Sequence, residues 1–103
     1  MSIAGAAGER ILCAEFTALP GQEAVVAELV AALALQVREE PGNVVFDAHC
    51  VADEPGRFFV YEVYADQAAF NAHITASYGA AFNAALASLI VEDGSQLTWL
   101  SRV

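Results

Sequence analysis

The sequence contains no lysine. Its only arginines are Arg10, Arg38, Arg57 and Arg102, set against 13 acidic residues for a net charge of −9. Nucleic acid and anionic membrane surfaces require clustered positive charge, so both are excluded as partners. Four scattered arginines also argue against a phosphorylated metabolite. Cysteine is scarce: Cys13 and Cys50 lie in strand-like apolar text, too few for a disulfide framework. Both are expected to be reduced, buried and structural. No apolar run approaches the ~20 residues of a membrane helix. Residues 1–9 lack the basic start and apolar core of a secretory signal. A soluble, cytoplasmic protein is therefore expected. The chain has no G-x-G-x-x-G, no H-x-x-x-H and no Ser-His-Asp set in a recognisable context, so neither a cofactor nor a metal is expected.

Apolar residues, in contrast, are abundant. The chain of 103 residues is 57% hydrophobic, above the usual ~45–50%. One domain of this length buries only about two-thirds of its unfolded surface, so the excess predicts a homo-oligomer. Residues 1–8 read as a frayed arm and 9–103 as the domain. Arg10 to Thr17 reads as a strand, ended by Leu19-Pro20-Gly21. Gln22 to Glu39 reads as the longest helix, with Val25, Leu29, Leu33 and Val37 as its apolar stripe, widened by Val26 and Val30. Pro41-Gly42 stops it. Asn43 to Val51 and Arg57 to Tyr64 read as strands joined by a hairpin loop, Asp53-Glu54-Pro55-Gly56. Asp66 is placed to cap a short helix through Phe70 to His73. A second helix carries Tyr78, Phe82, Leu86 and Leu89 on one face. Gln96 to Val103 closes the chain as a strand with Leu97, Trp99 and Val103 on one face.

This order, β-α-β-β-α-β with the second helix split, is ferredoxin-like. A sheet covered on one side should alternate apolar and polar residues. Phe58, Phe59, Val60 and Tyr61 do not alternate, nor do Val44, Val45 and Phe46. The sheet is therefore expected to be covered twice, by its helices and by a second subunit, as a dimeric α+β barrel.

One stretch, from Phe58 to Leu89, carries the chemistry. Its pattern E-x-Y-x-D-x-x-A-x-x-x-H-x-x-x-S-x-x-x-x-F is filled by Glu62, Tyr64, Asp66, Ala69, His73, Ser77 and Phe82. Together with Pro20-Gly21 and Glu40-Pro41-Gly42, it resembles the antibiotic-biosynthesis monooxygenase family, which includes quinol monooxygenases. That resemblance implies the same dimeric assembly. It also implies a cofactor-independent oxidation of a phenolic, quinol or polyketide-type aromatic by dioxygen. Relatives on this fold isomerise hydroxyketones, and a dimer that only binds a small ligand is a further alternative. Distant relatives degrade haem, but Phe82-Asn83-Ala84 holds no histidine where that branch carries its haem ligand.

The candidate catalytic residues are His73 and Glu62. His73 can remove a phenolic proton near neutral pH; otherwise it only complements a helix end or packs on Phe70. Glu62 can orient His73, bind a substrate hydroxyl or act as base, or it pairs with an arginine at a subunit interface. Tyr64, Tyr78, Phe82 and Phe46 are candidate substrate contacts. Ser77 is either a hydrogen-bond partner of substrate or an N-cap. His49 shares strand parity with Val45 and Asp47, opposite Phe46 and Ala48, and is a weaker candidate for the pocket.

Overall fold

A computed structural model describes residues 8–103. Most of the arm expected over residues 1–8 lies outside the described residues. The elements are β1 (Arg10–Thr17), α1 (Glu23–Arg38), β2 (Asn43–Val51), β3 (Glu54–Tyr64), α2 (Gln67–Ile74), α3 (Ser77–Ala87) and β4 (Gln96–Leu100). The four strands form one sheet in the order β2-β3-β1-β4, every neighbouring pair antiparallel. The β-α-β-β-α-β order expected from the sequence is thus present, and among the described residues no helix is long and apolar enough to cross a membrane.

The expected dimeric α+β barrel is overturned. The sheet is open, and among the described residues β2 and β4 are edges with no further strand beside them. Four strands cannot close on themselves, since a filled barrel takes about eight. Among the described residues, only one face carries helices. On that face Leu12, Ala14 and Phe16 of β1 meet Phe58, Val60 and Tyr64 of β3, and all are buried with Phe46 of β2. The opposite face is uneven. Val63 is buried, whereas Phe59 is 37% exposed, so the double coverage expected for β3 is not a property of the single chain.

Three further expectations change. The buried stripe of α1 is Val26, Val30, Ala34 and Val37, while Val25 is 45% exposed. Adjacent apolar pairs such as Val25-Val26 and Leu33-Ala34 allow two stripes one residue apart, about 100° around the helix. Packing on the sheet selects the one with the smaller side chains. The β2–β3 hairpin turns at Ala52-Asp53, not at Asp53 to Gly56, and β3 begins at Glu54. A register irregularity between Cys50 and Val51 supplies the bend. Cys50 is exposed, on an edge strand with a neighbour on one side only, whereas Cys13 on a central strand is buried; both are free.

Two local features place the helices over the sheet. Asp66 caps α2, its Oδ1 accepting from the Ala69 amide at 2.8 Å. Gly42 lies so close to Ala69 that an added Cβ would come within 3.2 Å of the Ala69 Cα and overlap its Cβ. The Gly42 carbonyl also accepts from the Ala65 amide at 2.9 Å. The loop after α1 is thereby seated on the start of α2.

Candidate active site

Glu62 is near the C-terminal end of β3 with its side chain on the helix-covered face, only 6% exposed. A buried carboxyl needs a partner. Tyr64, two residues on and so on the same face, donates its hydroxyl to Glu62 Oε1 at 2.7 Å. Burial pushes the Glu62 pKa up. The Tyr64 hydrogen bond and nearby His73 act in the other direction, but burial prevails. Glu62 is thereby biased toward its neutral acid form. The Tyr64 hydroxyl is also pushed up, by burial first and then by Glu62, which keeps it a donor.

His73 sits in the last turn of α2. Phe70, three residues earlier, packs edge-on against Tyr64 with ring centres 5.5 Å apart. The His73 ring lies 4.7 Å from that of Tyr64. One face of α2 therefore delivers His73 to the Glu62–Tyr64 pair. His73 Nε2 is 3.8 Å from Glu62 Oε1, while Nδ1 is 3.0 Å from Glu40 Oε2. Tyr78 of α3 donates its hydroxyl to that same Glu40 oxygen. Burial, then the bond to Glu40, push the Tyr78 pKa up. Among the described residues, Glu40 Oε1 is buried without a hydrogen-bond partner.

Glu40 is the residue that sequence reasoning missed as part of this cluster, since it read only as part of a turn. A signal was present. Glu39 and Glu40 follow the C-terminal end of a long helix, where negative charge is disfavoured by the helix dipole. A carboxylate in that place calls for a specific partner.

A cavity of about 410 Å³ opens between the sheet and α3, within the range of small-molecule sites. Glu62, His73, Phe46 and Phe82 are in its wall, with Phe16, Phe70 and Leu86. Asn83, Asp93 and Ser95 add polar groups, and no arginine is in the wall. Tyr64 is fully buried beside Glu62, and Tyr78 reaches the cluster through Glu40; neither is part of the wall. Ser77 is exposed and outside it. Nor does Ser77 cap α3: Ala76 is the N-cap, without a side-chain bond, and its carbonyl accepts from the Gly79 and Ala80 amides. Ser77 is the first helical residue, one position past the one at which a serine cap would serve the helix. His49 lies on edge strand β2, at a second groove. Among the described residues, no group of three or more His, Cys, Asp or Glu side chains is arranged to hold a metal ion.

Comparison with known proteins agrees with this architecture. The structure superposes on that of PA3566 from Pseudomonas aeruginosa with a TM-score of 0.85, at 24% identity, covering 93% of this chain and 95% of that one. A protein from Caulobacter crescentus gives 0.84 at 26% identity, with 93% and 91% covered. Rv0793 from Mycobacterium tuberculosis gives 0.84 at 21% identity, with 92% and 95% covered. No curated protein matches the sequence. The profile described as antibiotic biosynthesis monooxygenase matches residues 10–90, which runs from β1 past α3 and takes in Glu40, Glu62, His73 and Tyr78. The chain thus belongs to the antibiotic biosynthesis monooxygenase family.

Proposed function

We propose that the protein is a cofactor-independent monooxygenase that oxidises an uncharged phenolic or quinol-type aromatic with dioxygen, with His73 and Glu62 as its catalytic residues. One observation carries this reading. His73 Nε2 and Glu62 Oε1 are 3.8 Å apart in the wall of an otherwise largely apolar cavity. A hydroxyl oxygen can sit within hydrogen-bond distance of both. His73 takes the phenolic proton, and Glu62, biased toward its neutral form by burial, donates to the oxyanion that develops. The electron-rich anion reduces dioxygen. One oxygen atom becomes a new ring carbonyl, and the other leaves as water with the two hydrogens lost from the ring C–H and the phenol. His73 returns its proton to that departing oxygen. Phe46 and Phe82 flank the ring, and the apolar wall keeps bulk water from the anion.

The same acid and base can enolise a hydroxyketone, which needs no dioxygen. Both reactions are tested together: dioxygen uptake is recorded with a panel of quinols and naphthols, and substrate turnover is then followed under nitrogen. Uptake that vanishes in His73→Ala supports the monooxygenase. Turnover that persists under nitrogen replaces it with an isomerase, and binding without turnover leaves a ligand carrier. A cytoplasmic location, in keeping with two free thiols, belongs to this proposal. So does self-association of two copies, which sedimentation of the purified protein tests.

A further inference from the structure

We infer that Glu40, which lies behind the cavity wall, is the positioning residue that decides which ring nitrogen of His73 serves as the base. The inference rests on the proposed role of His73, and its primary readout does not depend on activity.

Two distances distinguish the ring nitrogens of His73. Glu40 Oε2 is 3.0 Å from Nδ1 and Glu62 Oε1 is 3.8 Å from Nε2. The first is a hydrogen bond and the second is too long for one. An ionised carboxylate only accepts, so the neutral ring carries its proton on Nδ1 and presents the Nε2 lone pair to the cavity. With the proton on Nε2, the ring would offer a donor to a phenolic hydroxyl and could not deprotonate it. Glu62 does not impose the opposite arrangement, because its Oε1 lies 3.8 Å from Nε2, beyond hydrogen-bond range.

Three elements hold Glu40 to this task. Its own loop is braced by the Asn43 amide donating to the Glu40 carbonyl at 3.1 Å. That loop is seated on α2 through Gly42, against Ala69 and the Ala65 amide. Tyr78 of α3 adds a second donor on Oε2, and among the described residues the other carboxylate oxygen is buried without a partner. Within those residues the carboxylate is held through the oxygen that faces His73. When Nε2 takes a proton, the imidazolium is charged on a ring already bonded to Glu40, and that hydrogen bond becomes charge-assisted.

A clasp with no chemical role would join the same three elements, so the test reads the proton itself. Nitrogen-15 NMR of histidine-labelled protein, with His73 identified by its loss in His73→Ala, gives the tautomer of the neutral ring. In the unaltered protein we expect Nδ1–H with Nε2 bare. In Glu40→Ala we expect the Nε2–H form that free histidine prefers. In Tyr78→Phe, which loosens the clasp but leaves the carboxylate, Nδ1–H should persist. An Nε2–H ring in the unaltered protein overturns the inference with no variant needed, as does an unchanged tautomer in a folded Glu40→Ala. With a substrate found, Glu40→Ala should lower kcat at least ~10-fold with little change in KM. If the unaltered protein consumes no dioxygen, the proposed function falls while the tautomer assignment stands. If Glu40→Ala is fully active, the positioning role falls and the function stands.

Discussion

Two concavities flank the helix-covered face of the sheet, and they are nearly equal in size, about 410 Å³ beside α3 and about 450 Å³ between α1 and β2. Each has a histidine and mostly apolar walls. In the first, His73 is 16% exposed, bonded to Glu40 and close to a buried Glu62. In the second, His49 and Cys50 are exposed. The nearby Arg38 guanidinium is engaged by the Phe46 carbonyl, through Nε at 3.1 Å and Nη2 at 2.7 Å. Volume therefore does not separate the two. The difference lies in whether titratable groups are withdrawn from water and held by one another, which is the condition for chemistry rather than for mere solvation.

The largest separation should appear in turnover. His73→Ala is expected to reduce dioxygen consumption ~10²-fold or more, with a stability cost of about 1 kcal/mol by thermal unfolding. His49→Ala should leave turnover unchanged. Equal losses from both would erase the distinction between the two concavities.

Gly42→Ala should come next. The added methyl has no room against Ala69, so the loop carrying Glu40 must move away from α2. Overpacking of this kind costs ~1–3 kcal/mol, or several degrees of melting temperature for a domain this size. The shift should disturb the first cavity and spare the second. A Gly42→Ala variant with unchanged melting and an unchanged His73 tautomer would show that the loop is not braced there.

Glu62 provides a pH test. Its pKa is raised in the folded state, so between the unfolded value and the raised one the folded protein holds the extra proton. Its contribution is then fully present below the unfolded value, and stability falls as pH rises through that window. Glu62→Gln, which keeps an acceptor for Tyr64, should flatten this part of the profile. It should be more stable than the parent at pH 7 and less active. Urea midpoints measured between pH 4 and 8 decide it, and identical profiles for the two proteins would remove Glu62 as the buried acid.

The smallest effect belongs to Cys50→Ser. An exposed edge-strand thiol should change stability by no more than about 0.5 kcal/mol and leave dioxygen uptake alone. A large loss of activity would place chemistry in the second groove.

Much of this fold was legible from local sequence. Pro20-Gly21, Pro41-Gly42 and Asp66 are punctuation whose meaning is local backbone sterics and hydrogen bonding. Accordingly β1 and β2 fall on the expected residues and α2 begins at its cap. Period-two geometry alone puts Glu62 and Tyr64 on one face of β3, but which face the helices cover is settled by packing. Where neighbouring positions are equally apolar, as at Val25-Val26 and Leu33-Ala34, the sequence pointed to Val25, Leu29 and Leu33 as the centre of the stripe, and packing turned it to Val26, Val30 and Ala34. Where coverage depends on rank in the sheet, as at Cys50, it gave no signal at all.

The cluster around His73 divides in the same way. Sequence alone determined that the chain would carry a histidine at the end of a capped helix, a glutamate inside an apolar strand and an acidic pair after a long helix, because each is fixed by short-range spacing. Only the tertiary structure decided that these meet. Glu40 and His73 are 33 residues apart in the chain, and Glu40 and Tyr78 are 38 apart. Their contact requires the loop after α1 to settle on α2 and α3 to close over the sheet. Such long-range closure is driven by burial of the whole apolar face, and no short window of sequence contains it.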